Sequence, residues 1–139
     1  MYWYNQVIIP ASITSIGSNA FSGCTGVTEL ELYSDAGIDS TASSIIRGVS
    51  TNIKKITFDY NGVIPFGVID PYSTGTFQFL TDVVIRSGIT GIGNQCFHVC
   101  PELTNVSIAR EGYYILEVVY FIDVTIKKYC FSRYINFDR

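Results

Sequence analysis

Residues 7–32, VIIPASITSIGSNAFSGCTGVTELEL, return at residues 83–108 as VVIRSGITGIGNQCFHVCPELTNVSI. The two copies align without a gap at an offset of 76 (83 − 7). This keeps Val7/Val83, Ile9/Ile85, Ile13/Ile89, Thr14/Thr90, Ile16/Ile92, Gly17/Gly93, Phe21/Phe97, Cys24/Cys100 and Thr28/Thr104 in register. Most of the matched positions are apolar or are turn glycines. That is the pattern of one supersecondary unit that cannot bury its own apolar face and stacks on copies of itself.

The unit length follows from the closing strand. Leu30 and Leu32 alternate with Glu29 and Glu31 in the manner of a half-buried strand, and similar alternations end at Ile9, Phe58, Ile85 and Ile108. The steps between these ends are 23, 26, 27 and 23 residues (32 − 9, 58 − 32, 85 − 58, 108 − 85). All fall within the period range of leucine-rich repeats, which makes a solenoid the expected architecture.

Ile9-Pro10, Ile16-Gly17, Ala20-Phe21, Gly23-Cys24 and the closing alternation over residues 27–32 resemble the BspA-like leucine-rich repeat. The second copy keeps Ile92-Gly93, Phe97 and Cys100, and replaces Pro10 by Arg86, Ala20 by Cys96 and Gly23 by Val99. The two units between, 33–58 and 59–85, match only in their closing strands. The resemblance implies an α/β repeat: a leucine-rich-repeat solenoid with a parallel β-sheet of about five strands and short helical turns and loops on the other face. The chain then divides as one domain, residues 1–139, into units of about 7–32, 33–58, 59–85 and 86–108, with 109–139 a divergent C-terminal cap.

Net charge is −3 and the pI about 4.9, so the chain has no general attraction to phosphate backbones or anionic membranes, and nucleic acid is disfavoured as a partner. The opening residues MYWYNQ lack the basic stretch of a signal peptide, and the apolar run after them is broken at Pro10. Residues 113–122 are apolar but too short to span a bilayer and contain Glu117, so direct membrane insertion is not expected. The family resemblance implies a cell-surface or secreted protein. The lack of a visible export signal fits an excised fragment or a short relative, and leaves the cytoplasm open.

Taken in order, Tyr2, Trp3 and Tyr4 are expected to cover the open end of the apolar stack, which solenoids require. Val7, Ile9, Ile13 and Ile16 point inward, and Pro10 ends the first strand by removing a backbone donor. Gly17 permits a turn, Ser18 caps a single helical turn carrying Ala20 and Phe21, and Phe21 plugs the core. Gly93, Asn94 and Phe97 repeat that logic. The structural core is therefore expected to include Ile13, Ile16, Phe21, Cys24, Ile89, Ile92, Phe97 and Cys100. Residues 34–44, SDAGIDSTASS, make the second unit irregular, and Asn61-Gly62 signals a turn. Pro65, Gly67, Pro71 and Gly75 argue for loops in the third unit, whose core Phe77, Phe79 and Leu80 fill. Beyond Ile108, residues 121–126, FIDVTI, match LTNVSI in their apolar positions and predict a sixth strand.

If the closing strands stack in parallel, outward residues fall into columns about 4.8 Å apart. One column reads Gln6, Glu29, Lys55, Asp82, Asn105, and the next Ile8, Glu31, Thr57, Val84, Ser107. Lys55 between Glu29 and Asp82 favours this register, by roughly a few tenths of a kcal/mol to 1 kcal/mol per pair. The sheet face is the usual binding surface of curved repeat proteins. The candidate binding residues are accordingly Glu29, Glu31, Lys55, Thr57, Asp82, Val84, Asn105 and Ser107.

Catalytic and cofactor chemistry find no matching constellation. Cys24 and Cys100 take the family's core cysteine position, where a thiol behaves as a small hydrophobe, and Cys96 stands where the other copy has Ala20. CFHVC, residues 96–100, supplies two thiols and His98 with no second pair at zinc spacing, so no metal is expected. Cys130 has no evident partner, and free thiols are expected rather than a disulfide framework. His98 is the single histidine, no nucleophile elbow or Walker loop occurs, and Glu29 and Glu31 face no opposing acid pair. Asn105-Val106-Ser107 is a formal glycosylation sequon inside a predicted strand, attributed to chance.

The resemblance therefore implies a non-catalytic, cofactor-free protein-binding module, engaged in adhesion or in recognition of a host or extracellular-matrix protein. An intracellular interaction scaffold is the alternative. A β-solenoid carbohydrate-active protein stands third, since it needs a carboxylate cluster in a groove.

Overall fold

The computed structural model describes residues 5–17, 19–38, 46, 49, 52–65, 77–92, 100–109 and 135–136. Eight strands lie among them: β1 (Gln6–Ile9), β2 (Glu29–Leu32), β3 (Lys55–Phe58), β4 (Gly62–Ile64), β5 (Asp82–Ile85), β6 (Ile89–Ile92), β7 (Asn105–Ile108) and β8 (Ile135–Asn136). Six form one parallel sheet in the order β1-β2-β3-β5-β7-β8, and β4 and β6 form a second, two-stranded parallel sheet.

The five closing strands end where the alternation in the sequence ends, and each pairs with the next without a slip. Gln6, Glu29, Lys55, Asp82 and Asn105 are successive partners, as are Ile9, Leu32, Phe58, Ile85 and Ile108. A one-residue slip would turn every inward side chain to solvent, so burial of one face fixes the register. Inward positions make three buried rows along the stack. Val27, Ile53, Leu80 and Leu103 precede the strands; Leu30, Ile56, Val83 and Val106 stand within them; Ile9, Leu32, Phe58, Ile85 and Ile108 close them. Each such side chain contributes about 1.5–3 kcal/mol by leaving water. This is the leucine-rich-repeat fold: short parallel strands, one per unit, around a core made of equivalent residues.

The strand entrances are clamped by a ladder of shared acceptors. The Asn5 carbonyl accepts from Thr28 N and Glu29 N, that of Thr28 from Lys54 N and Lys55 N, that of Lys54 from Thr81 N and Asp82 N, and that of Thr81 from Thr104 N and Asn105 N, all within 2.7–3.1 Å. Threonine hydroxyls add to it: Thr28 Oγ1 donates to the Asn5 carbonyl, Thr81 Oγ1 to that of Lys54 at 3.1 Å, and Thr104 Oγ1 to that of Thr81 at 3.4 Å. Each of these four carbonyls thus accepts two backbone donors, which is how half-buried backbone satisfies its polar groups.

Several expectations need correction. The second sheet, β4 with β6, was not foreseen, because Asn61-Gly62 reads as a turn and Ile89 and Ile92 read only as core positions. Gly62, at φ 145°, bonds its N–H to the Gly88 carbonyl at 3.1 Å, and Thr90 Oγ1 donates to the Gly62 carbonyl at 3.2 Å. Phe79, expected in the core, is 51% exposed. The turn over residues 77–79 starts from Phe77 at φ 60°, which buries Phe77 and Leu80 and leaves Phe79 outside. Ala20 and Phe21 lie in successive turns closed by Ala20 N to Gly17 O, Ser22 N to Asn19 O and Cys24 N to Phe21 O, with Asn19 at φ 62° and no helix formed. Helical residues in the second unit include Ile46 and Val49, both fully buried. The sixth strand of the sheet is Ile135–Asn136, paired as Val106↔Ile135 and Ser107↔Asn136. Residues 121–126, where one was expected, lie outside the described residues, as do Tyr2, Trp3, Tyr4, Ser18, Asn94, Cys96, Phe97, His98 and Cys130.

Candidate functional site

The outward face of the large sheet is built by the same alternation that builds the core. Gln6, Glu29, Lys55, Asp82 and Asn105 share one column, and Ile8, Glu31, Thr57, Val84 and Ser107 the next, in the register that the charges suggested. Gln6, Ile8 and Asn105 are exposed, while Glu29, Glu31, Lys55, Asp82, Val84 and Ser107 are half-buried. Thr57 is the least displayed of these residues, at 6% exposed. Its short side chain lies between Glu31 and Val84 on the neighbouring strands, so the centre of the face presents its flanks instead.

Glu31 is held at both carboxylate oxygens. Its Oε1 accepts from Gln6 Nε2 at 2.8 Å, and its Oε2 accepts from the Tyr33 hydroxyl at 3.0 Å. Hydrogen bonding to the Glu31 carboxylate and its charge hold the Tyr33 phenol above the ordinary tyrosine range; desolvation and Asp59 add to this and Arg86 opposes it. Asp82 is held in a similar way, with Oδ2 accepting from Thr81 Oγ1 at 2.5 Å and Oδ1 from Asn105 Nδ2 at 2.9 Å. Lys55 stands between Glu29 and Asp82 in the column with no direct ion pair among the described residues.

Tyr33, Asp59 and Arg86 extend the face by a third column that sequence reasoning missed. Each directly follows a closing strand, and their N–H groups continue the ladder to the carbonyls of Ile9, Leu32 and Phe58 at 2.8–2.9 Å. Carrying the two-residue alternation one step past Glu31, Thr57 and Val84 would have found them. Of the expected core set, Ile13, Ile16, Phe21, Cys24 and Ile89 are partly buried against the core, and Ile92 and Cys100 are buried. Burial pushes the Cys100 thiol up to about 12. Cys24 and Cys100 are both free thiols. No group of three or more His, Cys, Asp or Glu side chains suited to a metal occurs among the described residues.

A family model described as a BspA type leucine rich repeat region, with six copies, matches residues 3–123 and again 77–139. The chain belongs to this family. The BspA-type match runs through the two degenerate middle units, where only the closing strands had carried a resemblance. BspA-type repeats are generally non-enzymatic and commonly surface-associated, and leucine-rich repeat domains generally mediate protein interactions. No curated protein and no solved structure gives a match to the chain. Among the described residues no helix is long and apolar enough to cross a membrane.

Proposed function

We propose that this BspA-type chain is a non-catalytic recognition module acting at the cell surface, in adhesion or in binding a host or extracellular-matrix protein through the outward face of its large sheet. The observation that carries the reading is the unbroken five-strand register, which holds Glu29, Glu31, Lys55 and Asp82 at fixed spacing on one rigid surface. Tyr33, 38% exposed and tied to Glu31, gives that surface an aromatic anchor of the kind that dominates protein interfaces. Preorganisation lowers the ordering cost of binding, because the carboxylates of Glu31 and Asp82 are already fixed by neighbours.

The test is binding of the chain to a panel of immobilised matrix and cell-surface proteins, followed by Glu31→Lys and Lys55→Glu on any positive. Each reversal is expected to weaken binding about tenfold or more while circular dichroism and the melting temperature hold. Unchanged binding in both variants would reject this face as the recognition surface.

A further inference from the structure

A second surface lies at the strand entrances, away from the outward columns. Lys54, Gln78, Phe79, Thr81, Pro101 and Glu102 line an open groove of about 630 Å³. Phe79 and Pro101 supply apolar lining, and Lys54 and Glu102 supply opposite charges. Equivalent positions in the other units show how unusual Phe79 is: the register places Gly26, Asn52 and Glu102 in its row, none of them apolar and large. Phe79 is held out by a turn whose first residue, Phe77, takes a left-handed conformation and is itself buried. A strained, buried residue that turns its neighbour outward is a costly way to expose a ring unless the ring is used. The wall is rigid, since Lys54 and Thr81 belong to the ladder of shared carbonyl acceptors.

We infer that this groove binds a short extended peptide segment carrying an acidic, an apolar and a basic side chain at alternate positions. Lys54 stands one residue before β3, whereas Phe79 and Glu102 stand three residues before β5 and β7, so the two charges lie two strands apart and two residues out of row, roughly 12 Å on the diagonal. An extended chain lying along that diagonal places residues i, i+2 and i+4 on one face over about 13 Å, enough to reach base, ring and acid. Lys54 and Glu102 are both exposed and form no ion pair with each other or with another described residue, so both are available. The inference is independent of the sheet-face reading and stands or falls separately.

The test uses the whole chain and a fluorescently labelled peptide, Gly-Glu-Gly-Leu-Gly-Lys-Gly, followed by anisotropy. Saturable binding is expected, weakened about tenfold or more by Phe79→Ser and by replacing the peptide's leucine with glycine. Lys54→Glu and Glu102→Lys are each expected to weaken it severalfold. The double variant should recover binding, because a peptide docked in the reverse direction meets the exchanged charges. Peptides with two acidic or two basic ends should bind less well than the mixed one. Absence of binding by the mixed peptide, or binding indifferent to Phe79→Ser, would overturn the inference. So would a glycan array signal, or self-association, lost in Phe79→Ser while no peptide binds.

Discussion

The two sequence copies at residues 7–32 and 83–108 share their apolar positions, yet they fold differently after the first strand. In the second copy, residues 89–92 form β6 against β4, and Ile92 is buried. In the first, the equivalent residues 13–16 form no strand, and Ile13 and Ile16 are only partly buried. The difference lies in the neighbour. Beside β6 the preceding unit offers Gly62, Val63 and Ile64 as an extended segment that pairs with it, and Val63 lies over Gly91. Beside Ile13 the next unit offers Ser34, whose hydroxyl donates to the Ile13 carbonyl at 2.6 Å and accepts from Ala36 N at 3.1 Å. Side-chain bonding there takes the place of a strand ladder. The same local sequence thus becomes strand or turn according to what the adjacent unit presents.

The largest effect expected from this contrast is at the paired isoleucines. Ile92→Ala should cost about 2–5 kcal/mol and Ile16→Ala about half that, measured by urea denaturation, because only the first leaves a closed cavity. Equal losses would mean that the two copies are equally packed. Next comes the residue before each pair. A side chain on Gly88 would meet the Tyr60 carbonyl oxygen and Asn61 Oδ1 at 2.6 Å, whereas the first copy has an exposed Ser12 at this position. Gly88→Ser is therefore expected to destabilise by about 1–3 kcal/mol, and Ser12→Gly by less than about 1 kcal/mol. A neutral Gly88→Ser would show that the second sheet tolerates separation from the loop at Tyr60. The smallest effect is chemical. With its thiol near 12 through burial, Cys100 is almost wholly protonated at pH 8, while Cys24 is half-buried. In a chain whose Cys96 and Cys130 are serine, maleimide should label Cys24 at least about ten times faster than Cys100 at that pH. Comparable rates would place the two thiols in the same surroundings.

The large sheet was legible because Leu30, Leu32, Ile56, Phe58, Val83 and Ile85 alternate strictly with polar or solvent-facing partners, and burial of one face then leaves a single register. The outward columns followed from it without further information. Thr57 did not, since alternation gives the direction of a side chain and not the height of its neighbours. The second sheet escaped notice because each of its short strands contains a glycine, Gly62 or Gly91, with no side chain to show a period. Phe79 misled for the reverse reason: an aromatic beside Phe77 and Leu80 reads as core by composition, and only the turn geometry places it outside.

The steps between closing strands are 23, 26, 27 and 23 residues, yet each moves the ladder by one strand and the columns stay straight. The additional residues of the longer units therefore leave the strand register unchanged. Insertions and deletions in the connecting segments can accumulate without changing the distance between displayed side chains. Such a chain can lengthen its loops and re-letter its outward positions as two separate inheritances, each open to change while the other is kept.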